Sequence, residues 1–94
     1  MAFALVLPEP WATQGWKVKI RDDERNETPH ATFLRRRQAW RMSLRSGTFL
    51  DTRPDPAEVP DALVEHAWSK RHALRRSWNA MYPENPVYSR ESDP

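Results

Sequence analysis

Cysteine is absent from this 94-residue chain, glycine occurs only at Gly15 and Gly47, and only three of the fifteen basic residues are lysine. Without cysteine there is no disulfide, no thiolate nucleophile and no Cys-ligated zinc site, as expected of a protein from a reducing compartment. Two isolated glycines cannot build the glycine-rich loop that cradles a phosphate. The opening FALVL, Phe3 to Leu7, is short, has no basic segment before it and runs into Pro8 and Pro10. It is therefore expected to be neither a signal peptide nor a membrane span. The expectation is a soluble, cytoplasmic protein.

What the chain does have is aromatic bulk: five Trp, three Phe and two Tyr within a hydrophobic content of 38%. These side chains bury large areas each, enough for one core in a chain of this length. Charge is segregated. Residues 22–28 carry Asp22, Asp23, Glu24 and Glu27 against Arg25, whereas residues 29–50 carry five arginines and no acid. Residues 51–61 are acidic again and 62–83 basic, the pattern of basic elements joined by acidic loops. The predominance of arginine favours bidentate contact with phosphate or carboxylate. Together with the many Ala and Pro, it is equally what GC-rich coding produces.

WKVKI, Trp16 to Ile20, alternates strictly and predicts a half-buried strand with Lys17 and Lys19 on one face. Pro29 sets the entry to a second strand over His30 to Arg35, followed by a turn at Arg36 to Gln38. AWRMSLR, Ala39 to Arg45, alternates again, Ser46-Gly47 reads as a two-residue hairpin, and Thr48 to Leu50 as a short strand. Three prolines make Asp51 to Pro60 a connector, with Asp55-Pro56 opening a first turn. From Asp61 to Tyr82 the period becomes helical, with Leu63, Val64, Ala67, Trp68, Leu74, Trp78, Met81 and Tyr82 on an arc about 140° wide. The predicted class is α+β: a small two-layer domain, an antiparallel sheet of three to four strands packed on one long C-terminal helix. Residues 1–15 read as an N-terminal extension, 16–82 as the domain and 83–94 as a C-terminal tail.

One helix covers one face of such a sheet. If Phe33 is buried, His30 and Thr32 join Lys17, Lys19, Arg41 and Arg45 on the other face, with Arg35, Arg36 and Arg37 at the adjoining turn. Such a surface suits a polyanion, RNA more than DNA, or an acidic partner protein, because phosphate contacts supply affinity independent of sequence. His30 beside it is the candidate general base of a ribonuclease, since an imidazole can move a proton from a 2′-hydroxyl. The plainer alternative is a solvated face with a structural histidine. Asp22, Asp23, Glu24, Glu27 and His30 are a set of oxygen and nitrogen donors, but their spacing matches no metal loop, so a solvated acidic turn without metal is expected. His66 and His72 are six apart on the helix and cannot form a zinc pair at i, i+4. Arg71 and Arg75 fall within the apolar arc and are expected to lay their stems over Trp68 and Trp78. No cofactor is indicated.

Taken in order, WKVKI, TPHATF, WRMSLRSGTFL and ALVEHAWSKRHALRRSW resemble a bacterial family of short proteins filed as a domain of unknown function. That family is built around a Pro-Pro-His-x-His-Val stretch and is often encoded beside a presumed antitoxin partner. The resemblance spans residues 16 to 80. Pro29 and His30 match the stretch, Thr28 stands where the first Pro would be, and Thr32 where the second His would be. It implies a toxin-antitoxin-like component, and any cleavage mechanism must work with a single histidine; the short, proline-interrupted FALVL run independently indicates no membrane role. A third reading, from the Trp-rich composition, is a structural protein-interaction module.

Overall fold

In the computed structural model, which describes residues 3–22, 24 and 26–87, four antiparallel strands form one sheet in the order of the chain. They are β1 (Phe3–Ala4), β2 (Lys17–Ile20), β3 (His30–Arg35) and β4 (Gln38–Ser43), followed by α1 (Asp61–Ser69) and α2 (Arg71–Met81). The α+β class is as expected. The edge strand β1 is not part of the sequence reading: Phe3 pairs with Ile20 and Ala4 with Lys19, which ties the N-terminal segment to the sheet.

Register settles the face that the pattern of the second strand left open. Val18 pairs with Phe33 and Phe33 with Trp40, so these three share a face, and all are buried. Ile20, Ala31 and Met42 extend that face, and with Trp16, Leu44, Leu63, Ala67, Leu74 and Trp78 they form a single core. Val59, Tyr82 and Val87 complete it. The connector is tied over the core by Trp40, whose indole N–H donates to the Asp55 carbonyl at 3.0 Å. Asp55 also caps a short 3₁₀ turn over Pro56–Glu58 by accepting from the Ala57 N–H.

The single long helix predicted over Asp61–Tyr82 is two. Lys70 leaves helical geometry at φ −102°, ψ 18°, and its N–H reaches back to the carbonyls of Ala67 and Trp68. Just before it, the Ser69 hydroxyl donates to the His66 carbonyl, a local bond that competes with the helix ladder. Because the break lets each helix keep its own buried stripe, the apolar arc reads as continuous in sequence. The predicted Thr48–Leu50 strand reduces to one bridge, Met42 with Phe49, after a wider turn over residues 44–47. Gly47 in that turn has φ +80°, and a Cβ there would stand 3.1 Å from the Trp68 ring, so both backbone and packing call for glycine.

Beyond α2 the chain folds back. Asn79 exchanges two side-chain hydrogen bonds with the backbone of Val87, at 2.8 and 2.7 Å, and the Trp78 indole donates to the Asn85 carbonyl at 2.7 Å. The polar tail expected over Tyr88–Pro94 lies outside the described residues. Trp78 is thus fully buried, packed at a tilt against Tyr82 with ring centroids 4.3 Å apart, and hydrogen-bonded. Truncation by Trp78→Ala is expected to cost about 3–5 kcal/mol, a large part of the stability of a small domain. Denaturant unfolding checks this; an unchanged midpoint would place Trp78 outside the core.

Candidate functional site

His30, the first residue of β3, is carried into the interior by its buried predecessor Pro29 and by its pairing with Ser43 of β4. Its ring is fully buried, 5.4 Å from the Trp78 ring. Nδ1 lies 2.7 Å from the Thr28 carbonyl oxygen. A carbonyl only accepts, so Nδ1 carries a proton and donates, leaving Nε2 to face the acidic loop. There it stands 3.1 Å from Glu24 Oε1. Burial pushes the Glu24 carboxyl above its ordinary range, against the attraction of His30.

The loop that carries Glu24 and Glu27 is held from the C-terminal side. The Tyr82 hydroxyl accepts from the Glu24 backbone N–H at 3.1 Å and donates to the Arg21 carbonyl, and the Asn85 amide donates to the Glu27 carbonyl at 2.7 Å. Glu24, Glu27 and His30 each place a ligand-type atom within 4.8 Å of the others. Asp22 is exposed, and Asp23 lies outside the described residues.

Arg41, read as part of an open basic face, is clamped by two acidic segments. Its Nε and Nη2 donate to both carboxylate oxygens of Asp51 at 2.7 Å, and Nη1 donates to Glu27 Oε1 at 2.5 Å. The bond to Asp51 raises the already high Arg41 value and holds the Asp51 carboxyl below its ordinary range. The alternating charge blocks contained these partners, but block composition does not say which acid meets which base.

The remaining predicted basic residues divide between two places. Lys17, Lys19, Arg35 and Arg36, with Leu34 and Gly15, line a shallow concavity of about 230 Å³; Lys19 and Leu34 also line a neighbouring one of about 360 Å³, with Arg21 and Asp22. Arg35 is braced over the Trp16 ring, 5.4 Å from its centroid, and donates to the Gln14 carbonyl at 3.2 Å. Arg36 and Arg37 form the β3–β4 turn and are exposed; Arg36 adopts a left-handed φ of 58°, uncommon for a side chain of its size. Arg45 is elsewhere, on the turn after β4, where it lines a polar concavity of about 460 Å³ with Asn26, Glu27, Thr28, Pro29, Glu84 and Asn85. Arg21 was missed, although it continues the alternation of Lys17 and Lys19 by two residues.

The helix basic residues pack as the pattern suggested, but on one indole: Arg71 and Arg75 both lie over Trp68, at 5.0 and 5.4 Å. Arg75 is buried and donates to the Leu44 carbonyl at 2.8 Å, and burial lowers its value. His66 sits against Trp11, and His72 is exposed. Comparisons with protein-family models, curated proteins and solved structures each return no match for this chain.

The Asp51–Arg41 pair gives a pH prediction. Because the folded state depresses Asp51, its stabilisation is full above the unfolded value of about 3.9 and is lost as pH falls through the lower folded value. Asp51 is one-third exposed, so screening holds the pair to about 0.5–1 kcal/mol. The stability gap between wild type and Asp51→Asn is therefore expected to be constant near neutrality and to close in acid. Urea unfolding at a series of pH values measures it, and a gap that persists undiminished below pH ~3 contradicts the assignment.

Proposed function

We propose that this chain is a small binding protein that holds the phosphate backbone of a nucleic acid on the corner formed by Lys17, Lys19, Arg21, Arg35 and Arg36. The observation that carries the reading is the concentration of five basic side chains around two adjoining concavities, with Asp22 as the one acid lining them among the described residues. Phosphate contacts need positive charge more than depth, and shallow polar surfaces serve them well. The Arg35 guanidinium is pre-positioned by Trp16, so less side-chain freedom is lost on binding. Leu34 gives the two concavities a shared apolar patch.

Arg41 is excluded from this surface because three of its donors are already satisfied by carboxylates. His30 is assigned a structural role in preference to that of general base, since a fully buried ring cannot reach a 2′-hydroxyl. A toxin-antitoxin-like pairing is retained on the family resemblance alone; the preference for RNA over DNA rests on an exposed imidazole and loses that support with His30 buried. An acidic partner protein would use the same five side chains, because arginine recognises carboxylate and phosphate by the same fork.

Binding of RNA and DNA oligonucleotides of equal length, measured across salt, tests the reading. Affinity is expected to fall steeply with salt, and each of Lys17→Gln, Lys19→Gln and Arg36→Gln to flatten the log–log slope by about 0.7–0.9. Arg76→Gln, on an exposed helix position, is expected to leave it unchanged. No binding at about 50 mM salt removes the nucleic-acid reading, and co-purification with an acidic protein would then support the partner reading. RNA cleavage by wild type that is lost in a folded His30→Ala would replace both with a ribonuclease.

A further inference from the structure

We infer that His30, Glu24 and Glu27 form a binding site for a divalent first-row transition metal, independent of the basic corner. The first observation is convergence: one ligand-type atom from each residue lies within 4.8 Å of the other two. The second is the state of the imidazole. Its Nδ1–H is committed to the Thr28 carbonyl, the arrangement by which a protein fixes the tautomer and ring direction of a metal-binding histidine. The opposite nitrogen, Nε2, is fully buried, faces Glu24 Oε1 and has no hydrogen-bond partner among the described residues.

Glu24 Oε1 is likewise buried without a hydrogen-bond partner, although it stands only 3.1 Å from Nε2. The two atoms stand at ion-pair distance, and a metal ion between them would engage both. Two ligands at 2.0–2.2 Å from a shared ion, at 90–110° to each other, stand about 3.0–3.5 Å apart, so the observed separation suits a common metal. One imidazole and two carboxylates favour zinc or a similar borderline ion over calcium, which takes oxygen alone and more ligands.

Charge and support agree with this. Glu27 and Asp51 share the Arg41 guanidinium, and Glu24 adds a further carboxylate beside His30, so the cluster offers a cation negative charge as well as a lone pair. Arg41 takes one oxygen of Glu27, Oε1, and leaves its carboxylate oriented. The loop backbone is pinned by Tyr82 and Asn85, which makes the donor set pre-formed. Glu27 also lines the polar concavity of about 460 Å³, which supplies an entry path and room for solvent or an anion to complete the coordination.

The test is calorimetric titration of the chelator-stripped full chain with Zn²⁺, alongside thermal melts. One ion per chain is expected at micromolar affinity or tighter, with a raised melting temperature. Glu24→Gln and Glu27→Gln, each verified as folded without metal, are expected to weaken binding by at least about tenfold. Glu27→Gln keeps an oxygen for Arg41, so that clamp survives the substitution. Glu84→Gln, on the same concavity but outside the cluster, is expected to leave affinity unchanged. Absence of Zn²⁺ binding overturns the inference, as does binding of equal strength in all three variants, which would locate the ion elsewhere. Oligonucleotide binding by the metal-free chain is a separate measurement, so failure of either reading is distinguishable from failure of the other.

Discussion

The hydrogen bond from His30 Nδ1 to the Thr28 carbonyl, made inside the core against Trp78, constrains everything at the acidic end of the sheet. It holds the ring at the first residue of β3, while the pairing of β3 with β2 and β4 buries Ala31 and Phe33 and puts Lys19, Thr32 and Arg41 on the opposite face. It also turns Nε2 towards the loop, so that Glu24 must be accommodated beside it. A buried polar ring is costly unless its groups are satisfied. Here one nitrogen is satisfied by backbone and the other faces a carboxylate, and the loop is held to that geometry from outside by Tyr82 and Asn85.

Arg41 plays the complementary part on the next strand. By bonding Asp51 and Glu27 together, it joins the loop before β3 to the start of the connector after the β4 turn. The consequence for function is a division of the basic surface. Arg41 is spent on structure, Arg45 faces a polar concavity, and Lys17, Lys19, Arg21, Arg35 and Arg36 line the two adjoining concavities. The chain therefore has two chemically distinct regions, a cationic corner and a carboxylate–imidazole cluster.

Period-2 alternation made β2 and most of β4 legible, since Trp16, Val18, Trp40 and Met42 fall inward only in that register, whereas β3 was placed by Pro29 and its facing stayed open. The helical region was legible as an amphipathic arc, but the break at Lys70 was not, because a one-residue interruption barely disturbs the phase of Leu63, Ala67, Leu74 and Trp78. The edge strand Phe3–Ala4 gave no readable signal: two residues are too short for a period, and its pairing is decided by the neighbouring strand. At the site, the basic alternation pointed to Lys17 and Lys19, whereas the burial of His30 and the capture of Arg41 depend on contacts between segments distant in the chain. Composition showed acidic loops flanking a basic strand, but pairing is a property of the fold.

Imidazole nitrogen NMR on the full chain addresses the placement of His30 most directly. A long-range ¹H–¹⁵N correlation spectrum is expected to show His30 with its proton on Nδ1, and that proton protected from exchange by burial and by the Thr28 carbonyl. A His30 ring protonated on Nε2 alone, or an Nδ1 proton exchanging as fast as that of a solvent-exposed imidazole, would contradict the account.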